Sequence, residues 1–201
     1  MKEKVLSALA VVILLTLNST GCTKGNAPAE SPAARSATHA QLGIKYARNF
    51  SIDYLDGGVK LVTDARGDKL LLVPEGVNAP SGYADAVIVE TPIKRAMYTS
   101  TTHVGLLGAL EDDSLYDSVA IVITPEENWT TPQVLERFSS GVTRHIGDRR
   151  NIEEIVKMNP DLVFCDPHVA NTQFYSLLNE SNIKHATVLE WEEEGDKESL
   201  E

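Results

Sequence analysis

The stretch Asn151-Ile152-Glu153-Glu154-Ile155-Val156-Lys157-Met158-Asn159-Pro160-Asp161-Leu162-Val163-Phe164-Cys165 reads as a short helix followed at once by a buried strand. Asn151 is a favoured helix cap, and Glu154 stands three residues on, the spacing of a capping box. Ile152, Ile155 and Val156 give the helix an apolar stripe. Pro160 cannot continue it. Asp161 to Cys165 is apolar enough for a strand covered on both faces.

The same grammar extends in both directions. Ser118 to Thr124 is a second continuous apolar strand. Thr131-Pro132 is a cap followed by Pro at the first helical position, opening a helix with Val134, Leu135 and Phe138 on one side. Ile93 to Thr99 reads as a strand, and Thr101 or Thr102 can cap a helix through Val104, Leu107 and Leu110. A helix from about Thr172 to Asn182 precedes a strand candidate, Lys184 to Leu189. Strands alternating with helices predict an α/β fold: a parallel sheet with helices on both faces. Upstream the period changes to two. Phe50, Ile52 and Tyr54 alternate with polar residues, and turns at Asp56-Gly57-Gly58 and Ala65-Arg66-Gly67-Asp68 bound the runs Val59–Val62 and Leu70–Val73. This predicts a β-meander before the α/β part, with Ala86–Val89 as a further strand candidate.

The N-terminus has a different composition. Lys2 and Lys4 precede an apolar run from Val5 to Leu17, which fits the h-region of a secretory signal and is short for a membrane span. Ser19-Thr20-Gly21-Cys22 then places small residues before a cysteine, similar to the lipobox of bacterial and archaeal lipoproteins. That likeness implies lipidation of Cys22, with Ser19 where the family usually has Leu. Thr23 to Ala40 is rich in Ala, Pro, Ser, Gly and Asn and reads as a tether. The expected organisation is signal peptide 1–21, tether 22–45, β-rich lead-in 46–92, α/β lobe 93–190 and a further helix start at 191–201. The expected location is the extracytoplasmic face of the cell membrane, lipid-anchored.

Composition removes several classes. The 201 residues are 42% hydrophobic, too apolar for a disordered chain. A net charge of -11 argues against a nucleic-acid partner, which favours a basic face. Two cysteines cannot build a disulfide framework, and Cys165 within an apolar run reads as buried and inert. The chain has no Gly-rich phosphate loop, Gly-x-Ser-x-Gly elbow or His-Glu-x-x-His pattern, so no enzyme is expected and no cofactor is implied.

Ligands of such sheets sit beyond the carboxyl ends of the strands. That rule selects the loops Tyr98–His103, Thr124–Trp129, Asp166-Pro167-His168 and Glu190-Trp191. Ser100, Thr101, Thr102 and His103 offer hydroxyls and amides at a helix start, suited to anionic or carbonyl oxygens. Trp129 and Trp191 suit a flat organic ligand or a cation. His168 completes the candidate binding set. Each residue alone reads better as a polar cap, a solvated loop or a partly buried aromatic, and it is their meeting on one rim that suggests a site. Glu126-Glu127 and Glu192-Glu193-Glu194 read as solvated acidic faces. His103, His168 and Glu190 together would make a free zinc or manganese site.

Several of these segments resemble one family. Ile93-Lys94-Arg95 leading into Thr99-Ser100-Thr101-Thr102, the helix to Leu107-Gly108-Ala109-Leu110, and Ile146-Gly147-Asp148 before Asn151 are similar to the periplasmic-binding domain of iron-siderophore and cobalamin ABC importers. The Asn-x-Glu helix leading to Pro160-Asp161-Leu162-Val163 is its most specific piece. The resemblance implies two α/β lobes joined by a long helix and a chelated metal (ferric siderophore, haem or a corrinoid) held between them. It also implies docking on ABC permease subunits through an exposed glutamate, here Glu153. Residues 191–201 fall where the connecting helix begins, so the expectation is a truncated N-terminal lobe, with half a cleft and correspondingly weak binding. The alternative to an importer component is a surface-anchored module that works by docking alone.

Overall fold

The unalternating apolar runs form one sheet. The computed structural model describes residues 40–41, 48–147 and 151–190. Its second half carries strands β6 (Ala96–Tyr98), β7 (Val119–Val122), β8 (Arg144–His145), β9 (Leu162–Cys165) and β10 (His185–Thr187). They lie in the order β10-β9-β6-β7-β8, and every neighbouring pair is parallel. Helices α1 (Thr101–Gly105), α2 (Pro132–Ser139), α3 (Ile152–Met158) and α4 (Thr172–Glu180) make the crossovers. The chain starts at the central strand, winds out to β8, returns to β9 on the other side of β6 and ends at β10. Crossovers of one hand place helices on opposite faces when the direction of winding reverses. Met97, Ile121 and Val163 accordingly pack with Ile155 of α3 and Phe174, Tyr175 and Leu178 of α4. Ala96, Tyr98, Val119 and Val122 pack on the other face with Val104 of α1 and Val134 of α2. The predicted α/β class and parallel sheet are present.

Four local readings change. Ser100 caps α1, its Oγ accepting the Thr102 amide at 3.3 Å; Thr101 and Thr102 lie inside the helix and are exposed. The expected long helix is five residues of α-helix continued by a 3-10 turn, Leu106–Leu110. Gly105 and Gly108 weaken helix propagation there, and a side chain at Gly108 would meet the Tyr116 hydroxyl at 3.0 Å. In α3 the buried line is Ile152, Ile155 and Met158, while Val156 is half exposed. Strand β8 had no sequence signal: two polar, exposed residues pair with Ile121 and Val122 at a sheet edge.

The lead-in is a second sheet, β1 (Ala40–Gln41), β2 (Ser51–Tyr54), β3 (Lys60–Thr63), β4 (Lys69–Pro74) and β5 (Val87–Thr91), in that order. Strands β2 to β4 form the expected antiparallel meander, and β5 joins β4 in parallel. This sheet covers what the helices leave bare. Helices α1 and α2 serve β6, β7 and β8, so the β9–β10 half of their face would otherwise meet water. Leu70 and Val89 pack there with Leu162 and Ala186. Ile93 and Phe164 belong to both this cluster and the one beneath α1 and α2.

Two aspartates fasten the arrangement. Asp64, 5% exposed in the β3–β4 turn, accepts the amides of Arg66 and Asp68 at 2.9 Å on one oxygen and that of Thr187 in β10 at 2.7 Å on the other. The Arg66 guanidinium lies 4.3 Å from the centre of the Tyr175 ring. Asp161 accepts the amides of Lys94 and Arg95 at 2.9 and 2.8 Å, and the Arg95 guanidinium donates to the Met158 carbonyl. The Pro160-Asp161 pair thus pins the entry of β6 beside that of β9. Asn159, at φ 47°, closes α3. The proposed signal peptide, all of the tether but part of its end, and residues 191–201 lie outside the described residues.

Candidate functional site

Winding reverses between β6 and β9, and at such a switch point the loops leaving the two strands diverge and open a crevice. Thr99 stands at its base, 2% exposed. Its amide and its hydroxyl both donate to the Phe164 carbonyl, at 3.1 and 3.2 Å, and its Oγ accepts the Asp166 amide at 2.8 Å. One side chain therefore ties the carboxyl ends of both strands. Asp166 is itself buried, and its Oδ1 accepts the His168 amide at 2.8 Å.

Three neighbouring strands each deliver one polar side chain to this edge. His103 comes from the first turn after β6, Asp166 follows β9 directly, and Glu190 lies three residues beyond β10. One ligating atom from each falls within 4.8 Å of the other two. The His103 Nε2 and a Glu190 carboxylate oxygen are 2.8 Å apart, with side chains 3% and 11% exposed. Among the described residues, His103 Nδ1 is buried without a hydrogen-bond partner. Leaving such an atom unsatisfied costs about 1–3 kcal/mol. The imidazole, even protonated, balances one of the two carboxylates.

Beside the cluster opens a cavity of about 420 Å³ whose walls include Phe50, Leu106, Phe164, Val188, Leu189 and Glu190. Its lining is almost wholly apolar, and its volume lies within the ~300–1,000 Å³ range of small-molecule sites. Leu106 and Phe50 are exposed at 48% and 39%.

The sequence-selected residues divide. Ser100, Thr101, Thr102 and His103 follow one another at the start of α1, and of the four His103 joins the cluster. His168 shares the Asp166 loop but is exposed and does not join the cluster; Asp166 takes the place expected for it. Trp129 is displaced from the rim altogether. It is 6% exposed, its ring packs 6.5 Å from that of Phe138, and its Nε1 donates to the Thr124 carbonyl at 3.1 Å. An aromatic side chain with one donor is satisfied by a core slot with a single acceptor, and this loop supplies one. Glu153 is exposed in the first turn of α3, where a carboxylate also favours the helix N-terminus. Glu126 and Glu127 are solvated as read. Trp191 and Cys22 lie outside the described residues. Asp166 could have been found from its position alone, as the first polar residue after an apolar strand at the switch point.

No helix among the described residues is long and apolar enough to cross a membrane. No protein-family model matches the chain. The chain is similar to an uncharacterized lipoprotein of Methanocaldococcus jannaschii, with 24% identity over 170 residues. The alignment takes in 74% of this chain and 41% of that protein, so the chain matches about two-fifths of the relative's length. A lipoprotein relative is in keeping with the signal and cysteine pattern that ends at Cys22.

Proposed function

We propose that this chain is the N-terminal lobe of a lipid-anchored solute-binding protein that presents a metal chelate to an ABC permease. The observation that carries the reading is the switch point between β6 and β9, where an apolar cavity lined by Leu106 opens at the end of α1 and the hydroxyls of Ser100, Thr101 and Thr102 stand at the start of the same short helix. A ferric siderophore, haem or corrinoid combines apolar faces with oxygen-bearing groups, and this pairing of surfaces suits it. In this reading Ser100, Thr101 and Thr102 meet the oxygens, Phe50 and Leu106 meet the apolar face, and no bond is made or broken. The cavity takes part of such a ligand, as one lobe of a two-lobed protein would. Glu153 is the candidate contact for a permease arginine, and Cys22 is the anchor on the extracytoplasmic face of the membrane.

The test is an absorbance titration of the purified chain with a ferric hydroxamate siderophore, haem and cyanocobalamin. A saturable spectral change with one of the three, weakened by Leu106→Asp, is expected. No change with any of them would remove the chelate reading. Cys22→Ser should move the protein from the membrane to the soluble fraction, and Glu153→Arg should abolish co-purification of the permease.

A further inference from the structure

We propose that His103, Asp166 and Glu190 form a direct binding site for one divalent first-row metal ion, Zn²⁺ or Mn²⁺. The inference stands apart from the chelate reading, because it needs neither a chelator nor a second lobe.

The topology supplies the argument. Strands β10, β9 and β6 are adjacent, and neighbouring strands run roughly 4.8 Å apart. Side chains leaving three successive carboxyl ends therefore converge, and these three bring one ligating atom each to within 4.8 Å of one another. Two ligands on a tetrahedral zinc ion at 2.0–2.2 Å lie roughly 3.3–3.6 Å apart. The 2.8 Å between His103 Nε2 and the Glu190 oxygen is a hydrogen-bond distance, and a small opening of this pair would bring it to that spacing. Imidazole with two carboxylates is a donor set suited to Zn²⁺ and Mn²⁺ rather than to a soft, thiolate-seeking ion.

Two further observations favour a metal over a simple ion pair. The cluster holds two carboxylates against one imidazole, and a divalent cation would balance both. Asp166 is also held in place from outside the cluster: Thr99 Oγ accepts its amide, and the His168 amide donates to its Oδ1. Such outer contacts orient metal ligands. Glu190 lines the apolar cavity, and Leu106, one turn beyond His103, is exposed beside it, which gives an ion a way in.

The experiment is equilibrium dialysis of the purified chain against ZnCl₂ and against MnCl₂, followed by metal analysis. Stoichiometric uptake of one of the two is expected. Asp166→Asn and Glu190→Gln should each weaken it by about 10-fold or more, while His145→Gln, at an exposed site on β8, should leave it unchanged. If a variant fails to fold, the wild-type chain decides by NMR: the imidazole signals of His103 should move on adding metal and those of His145 should not. Failure to take up either metal, wild-type affinity in Glu190→Gln, or an unmoved His103 would overturn the site. None of these outcomes bears on the titrations with intact chelates.

Discussion

Cys165 ends β9 with no exposed surface, and burial, with the nearby Asp64 carboxylate second, pushes its thiol far above the ordinary range. In a Cys22→Ser background, an aromatic disulfide reagent should therefore leave the native chain unlabelled and react fully once guanidinium unfolds it. Reaction of the folded protein at the rate of a free thiol would contradict this burial. Tyr175 gives a pH signature. Burial raises its phenol from 10.0 to about 12, against the opposing effect of its 3.0 Å hydrogen bond with Thr187. Folding thus favours the neutral ring. The stability this confers is complete below the ordinary tyrosine range and is lost as pH rises from 10 through about 12. Denaturant midpoints across that window should fall, and Tyr175→Phe should flatten part of the fall. Tyr98, shifted the same way by burial, accounts for another part. At this scale the sequence exposes His103 and Glu190, which flank strand ends with nothing apolar to explain them. It hides Asp166 beside a histidine, the more conspicuous metal ligand. It misplaces Trp129, because a tryptophan in a polar loop looks the same whether its ring turns toward water or into the core.

Helices and strands are legible to the extent that burial shapes their composition. Strand β7, buried at all four positions, is unmistakable. Strand β8 is invisible, since an edge strand of Arg and His needs only its backbone. The β3–β4 turn is legible as a turn but not as a fastening, because a turn aspartate usually holds its own loop and nothing in the sequence says that Thr187 lies within reach. Asp64→Ala would strand three amides, one of them in β10. It should lower the unfolding free energy by about 3 kcal/mol in urea titrations. A loss under about 1 kcal/mol would mean that water or other acceptors replace the carboxylate.

The two sheets share side chains, and this determines how the molecule unfolds. Phe164 stacks on Tyr98 at 4.9 Å and also packs into the cluster joining the lead-in to β9 and β10. Phe164→Ala should cost about 3–5 kcal/mol. Far-ultraviolet and near-ultraviolet circular dichroism should still report one coincident transition; two separated transitions would show that the sheets unfold independently. This packing is the least legible feature of the chain, because Leu70 and Val89 carry the same pattern whether their strand covers a helix, a sheet or a partner. The position of β6 has a consequence for biosynthesis. It is the first strand of its sheet to leave the ribosome, yet it ends in the middle, and Phe164, whose carbonyl receives Thr99, lies 65 residues further along. Until then a short apolar strand can pair with β7 on one edge and keeps the other open. Pairing over such a separation is slow and leaves the nascent chain prone to association. The segment from Ala96 to Val122 is therefore where a holding chaperone would have to act before β9 arrives.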